Sequence, residues 1–164
     1  MKLIRAIGIG LALLPLGVVS ARAFAAPTFA PPAPVRPHGL GYPDWAASWW
    51  RWAVGTPTPQ NPVVDTTGAN CAVNQPAPGV FLLAATFTGN PVQRSCTVPV
   101  GTAFVIPMFN NAFFALQTDP PEQRTEAFVR SRVTCVETGP SLSLTVDGTP
   151  LANPAGLLER STLF

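Results

Sequence analysis

Hydrophobic and polar positions follow a helical period over Tyr42–Ala53. At about 100° per residue, Trp45, Trp49, Trp52, Ala46 and Ala53 fall on one face with Trp50 at its margin, while Asp44, Ser48 and Arg51 point away. Pro43 suits the first helical turn, Asp44 the positive N-terminal end, and Gly55 followed by Pro57 the stop. The pattern predicts a short helix that carries all four tryptophans and the only tyrosine of the chain. A buried Trp withdraws roughly 150–250 Å² from water, so the stripe either anchors a core or forms a binding surface. In the second case Trp45, Trp49, Trp50 and Trp52 are the candidate contacts, for a glycan or an envelope protein.

Downstream the period changes. Gly79–Phe87 and Cys96–Phe109 are rich in β-branched and aromatic residues, are bounded by Gly, Pro and Asn, and predict successive core strands joined through a turn at Thr88–Val92. From Pro121 to about Cys135, Phe128, Val129 and Val133 make an apolar stripe flanked by arginines. This predicts a second helix on which Glu126 and Arg130 pair across one turn. Ser141–Val146 alternates strictly, and Asp147-Gly148 is a hairpin signal with Thr149-Pro150-Leu151 returning. The expected fold is β-rich and sandwich-like, with a short N-terminal Trp-rich helix and a second helix near 121–135. Four or five strands are convincing where a sandwich uses about seven, so an incomplete sandwich is part of the expectation.

The first residues modify the charge. Met1-Lys2-Leu3-Ile4-Arg5, an apolar run from Ala6 to Val19, and small residues at alternate positions up to Ala25 have the make-up of a secretory signal peptide. The expected organisation is a signal peptide at 1–25, a proline-rich linker at 26–41 and one secreted domain at 42–164. The whole chain has a net charge of +2, but removing residues 1–25 takes away Lys2, Arg5 and Arg22. Seven arginines then face eight carboxylates, for a net of −1. The exported part has no lysine and no basic surplus, which argues against nucleic acid or anionic lipid as partner. No membrane association is expected after cleavage.

Export permits disulfides, and there are three cysteines. Cys71–Cys96 is the preferred bridge, worth roughly 3 kcal/mol of denatured-state entropy, with Cys135 left as a free thiol. The cysteine spacing does not fit zinc and no histidine lies nearby, so neither a metal nor a cofactor is expected. Asp65 and Asn70 around Gly68 are better read as turn chemistry than as a calcium loop. His38 is the only histidine and lies in the linker, so a Ser-His-Asp or Cys-His arrangement lacks its base. Absence of lysine from the exported part removes Schiff-base and P-loop chemistry. Only carboxylates remain, and most of them suit turns or helix surfaces. The expectation is a non-catalytic envelope or extracellular binding or structural module with no catalytic residue assigned; the alternative is a carboxylate-based hydrolase acting on envelope polysaccharide.

Several segments together resemble a family of exported bacterial proteins of unknown function. They are Trp45-x3-Trp49-Trp50-x-Trp52, Asn61-Pro62-x2-Asp65-Thr66-Thr67-Gly68-Ala69-Asn70-Cys71, Arg94-x-Cys96-Thr97-Val98-Pro99-x-Gly101-x-Ala103 and Val146-Asp147-Gly148. The likeness runs from Tyr42 to Phe164 and implies a secreted, β-rich domain with no established activity. Members of that family carry a further cysteine just after the position of Asn110 or Asn111, which the resemblance makes the natural partner of Cys135. Here Ala112-Phe113-Phe114 stands in that place. Members also continue past the position of Phe164, so by this likeness the chain is expected to be C-terminally shortened.

Overall fold

The computed structural model describes residues 28–29, 37–76, 78–133, 142–157 and 159–164. Helix α1 spans Tyr42–Gly55, matching the predicted tryptophan helix. Pro43 sits in its first turn, and the Asp44 carboxylate reaches back to accept from the Gly41 N–H at 3.4 Å, occupying an amide that the helix leaves unbonded. Its C-terminus is closed by side chains. Thr56 Oγ1 donates to the Trp52 carbonyl at 2.9 Å, and the buried Asn61 amide donates to both Ala53 O and Thr56 O at 2.7 Å.

The β-rich, sandwich-like expectation does not hold. The described strands are four short ones: β1 (Val80–Leu82), β2 (Ala103–Val105), β3 (Thr145–Val146) and β4 (Thr149–Pro150), in two sheets of two strands each. The molecule is a small mixed α and β structure. The two long apolar runs were expected to form successive core strands. Instead, only three residues of each pair, and they pair in parallel, with Val80 opposite Ala103 and Leu82 opposite Val105. The physical reason lies in the punctuation of the second run. Pro99 and Pro107 lack the N–H that a ladder requires, and Gly101 turns the chain at φ 80°. The stretch between the two strands returns without a helix, through an extended segment held by side chains rather than by a ladder.

The second helix is present but split: a 3₁₀ turn at Pro121–Arg124, then α2 at Glu126–Arg132, capped by Thr125 Oγ1 accepting from the Phe128 N–H. Glu126 and Arg130 make the expected surface pair at 2.6 Å. The hairpin at Asp147-Gly148 forms as predicted. Both turn residues have positive φ, 48° and 77°, as in a type I′ turn. No helix among the described residues is long and apolar enough to cross a membrane. Residues 1–27, 134–141 and the rest of the linker, with their expected signal peptide and the Cys135 thiol, lie outside the described residues.

The core is built on α1. Trp45, Trp49, Trp50, Trp52 and Ala53 pack with Val63, Val80 and Leu82, and Trp49 is 1% exposed. Two of the indole N–H groups are satisfied by main-chain carbonyls: Trp49 Nε1 donates to Leu83 O and Trp52 Nε1 to Val73 O, both at 2.8 Å. Leu82 and the Trp49 bond together seat β1 across the helix.

Candidate functional site

The Asn61–Cys71 and Arg94–Cys96 segments, far apart in sequence, meet in space. Asn61 Oδ1 accepts from Val63 N at 2.9 Å while its amide closes α1, so one side chain fixes both the helix end and the loop that leaves it. Asp65 then nucleates that loop. Its two carboxylate oxygens accept from Thr67 N, Thr67 Oγ1, Gly68 N and Asn70 N at 2.7–3.0 Å. The Asn70 amide, the Thr67 hydroxyl and the Thr67 and Gly68 amides lower its pKa from the ordinary 3.8 to about 2. This is turn chemistry, with N–H and O–H donors in the positions that a cation would need.

Gly68 has φ 93°, and a Cβ there would strike the Ser95 backbone; Ser95 N donates to Thr67 O at 3.0 Å. On either side of Ser95 the contact is secured. Cys96 forms the expected disulfide with Cys71, with the Cα atoms 6.0 Å apart. The Arg94 guanidinium donates to four backbone carbonyls, those of Asp65, Ala84, Val63 and Ala85, at 2.6–3.2 Å. These motif residues therefore form a clamp that ties the loop after α1 to the end of β1, and their role is to position. Such a bridge belongs to an oxidising compartment, in keeping with an exported location.

All four tryptophans are buried, so none is freely presented as an exposed stripe. Trp50, at 9% exposure, is enclosed by aromatic rings. It stacks on Phe87 and Phe164 with centroids 6.1 and 6.2 Å away, and Phe114 meets it edge-on at 5.6 Å. The C-terminal segment that brings Phe164 there is held by Arg51 Nη2 donating to Leu163 O and by Thr162 N donating to Pro43 O, both at 3.2 Å.

Trp45 and Trp49 have a second role. With Tyr42 and Ala46 they wall a cavity of about 660 Å³. Its second wall is the whole run from Gly101 to Asn110, and its third is the terminal hairpin with the chain just beyond it, through Leu144, Val146, Leu151 and Leu157. Burial beside it pushes the Tyr42 phenol up from its ordinary pKa. His38, expected in the linker, lies at this cavity against Gly79, in a 3₁₀ turn with φ 55°. Asp147 and Glu159 also line it, and among the described residues no arginine does. The volume is in the range of small-molecule and peptide-side-chain pockets, and a mainly apolar wall with a few polar groups is the usual make-up of a binding site.

The other carboxylates are placed structurally. Asp44 caps α1, Asp119 accepts from Leu116 N at 2.7 Å, Glu126 pairs with Arg130, and Glu122 is exposed on its 3₁₀ turn. Among the described residues, no three His, Cys, Asp or Glu side chains group as a metal centre requires. The cavity was not visible in the sequence because its walls come from separated stretches of chain; the one signal pointing to it was the excess of aromatic residues on α1. No protein-family model, curated protein sequence or solved structure matches the chain.

Proposed function

We propose that the chain is a non-catalytic, exported binding module, a member of the tryptophan-helix family it resembles, whose ligand site is the cavity on α1. The observation that carries this reading is the cavity of about 660 Å³ walled by Tyr42, Trp45 and Trp49 on a helix fixed at both ends. Burying apolar ligand surface there returns about 25 cal/mol for each Å² withdrawn from water, and the preorganised helix needs no reordering on binding. The tryptophans serve as a rigid wall behind the ligand. Residues 1–25 are the signal peptide and 26–41 the linker; an exported protein whose intact mass does not begin at Ala26 would refute that boundary.

The site is tested with the apolar fluorophore 1-N-phenylnaphthylamine and the oxidised, exported chain. Saturable one-to-one binding with energy transfer from tryptophan is expected. Ala46→Phe, which places a ring in the cavity from the wall of α1, should weaken it at least tenfold without altering the thermal unfolding midpoint. Non-saturable binding, or a variant that binds as well as the parent, contradicts the site.

A further inference from the structure

The two edges of the parallel β1–β2 pair are treated differently. In a parallel ladder alternate residues of a strand point their N–H and C=O groups to opposite sides. Ala103 N donates to Gly79 O and Leu83 N to Val105 O, so Ala103 and Val105 face β1 and Phe104 turns its backbone groups outward. On the β1 side, the outward backbone groups of Leu82 are met by a side chain that imitates a strand. Leu82 N donates to Gln75 Oε1 at 2.8 Å, and Gln75 Nε2 returns a bond to Leu82 O at 3.2 Å. Among the described residues nothing does this for Phe104, whose side chain is 46% exposed. An open edge of this kind is a template for another strand.

That open edge lies along the cavity. Residues of both parities from Gly101 to Asn110 line it, together with the core-facing Val80 but not Phe81 or Leu82, so the space wraps the outer side of β2. The hairpin residues Leu144 and Val146 stand on its far side. Adjacent strands lie roughly 4.8 Å apart and advance about 3.3 Å per residue, and 660 Å³ accommodates an extended segment of a few residues. The formally charged residues that line the cavity are of one sign among the described residues: Asp147 and Glu159, with no arginine.

Building on the cavity reading above, we propose that its occupant is a peptide: an extended, alternating apolar segment with a cationic residue, which adds as a strand to the free edge of β2. Main-chain bonds to Phe104 supply register, the apolar side chains meet the α1 wall, and the cation meets Asp147 or Glu159. This is strand addition, in which backbone bonds give affinity and alternate pockets give specificity.

The probe is an acetylated, amidated seven-residue peptide alternating valine and threonine between terminal lysines, titrated calorimetrically into the oxidised, exported chain. Two analogues are N-methylated at the odd or at the even amides. An added strand bonds through one edge only, so one analogue should lose at least tenfold in affinity and the other should not. The Phe104 amide should gain hydrogen-exchange protection, and the Asp147→Asn/Glu159→Gln double variant or a peptide ending in glutamates should bind several-fold more weakly. Equal binding by both analogues, or no peptide binding while 1-N-phenylnaphthylamine saturates, overturns the strand and leaves the cavity reading standing. Failure of peptide and fluorophore alike sinks both.

Discussion

At the scale of single residues, the Asn61–Cys71 and Arg94–Cys96 motifs can be explained without a ligand. Asp65 accepts four hydrogen bonds, Arg94 donates to four carbonyls, and Gly68 is the only residue type that fits against Ser95 at φ 93°. The motif was legible in the sequence. Its purpose was not, because the partners of Asp65 and Arg94 are mainly backbone groups, which leave no mark in residue identity. Asp65 yields a pH prediction with a definite sign. Its pKa is lowered on folding from 3.8 to about 2, so its contribution to stability is fully present above the unfolded value and is lost as pH falls from about 4 through about 2. Urea unfolding across that window should show a pH slope that is reduced in Asp65→Asn; an unchanged slope would mean that the loop carboxylate is not held as described.

Among the elements, α1 and the Asp147-Gly148 hairpin were readable from sequence, and the long core strands expected at Gly79–Phe87 and Cys96–Phe109 were not. Pro43, Asp44 and Gly55 mark the ends of the helix and the 3.6-residue period marks its buried side, although Ala47, also fully buried, shows that burial extends beyond the single predicted stripe. The strands failed because propensity in Gly79–Phe87 and Cys96–Phe109 reports a preference for packing on half-buried surface, and that preference is satisfied here by extended chain that packs without pairing. A helix closed by a distant side chain makes a mutational prediction at this scale. Asn61→Ala leaves the Ala53 and Thr56 carbonyls without their buried donor, and each buried group so orphaned costs about 1–3 kcal/mol. A loss of about 2–4 kcal/mol in denaturant unfolding is expected. A loss below that of an ordinary surface substitution, about 0.5 kcal/mol, would show that the amide does not terminate the helix.

On the scale of the whole molecule, the chain packs its short regular elements around α1, the longest helix among the described residues. β1 crosses α1 through the Trp49–Leu83 bond, the Cys71–Cys96 bridge and Arg94 hold the crossover to β2, and the C-terminal segment returns over Pro43 and Arg51 to close on Trp50. The tryptophans thus act as a core that also walls a cavity, and the sequence left these two uses undivided because burial depends on residues distant in the chain, such as Phe164 on Trp50. The most direct measurement is the tryptophan emission of the oxidised, exported chain under acrylamide titration. A core of buried indoles predicts a blue-shifted maximum and quenching far weaker than that of free indole, with both reverting to free-indole behaviour on unfolding. Emission at the free-indole position, fully open to acrylamide in the native protein, would mean that the stripe on α1 is an exposed surface and would contradict the core, the cavity and the binding mode built on them.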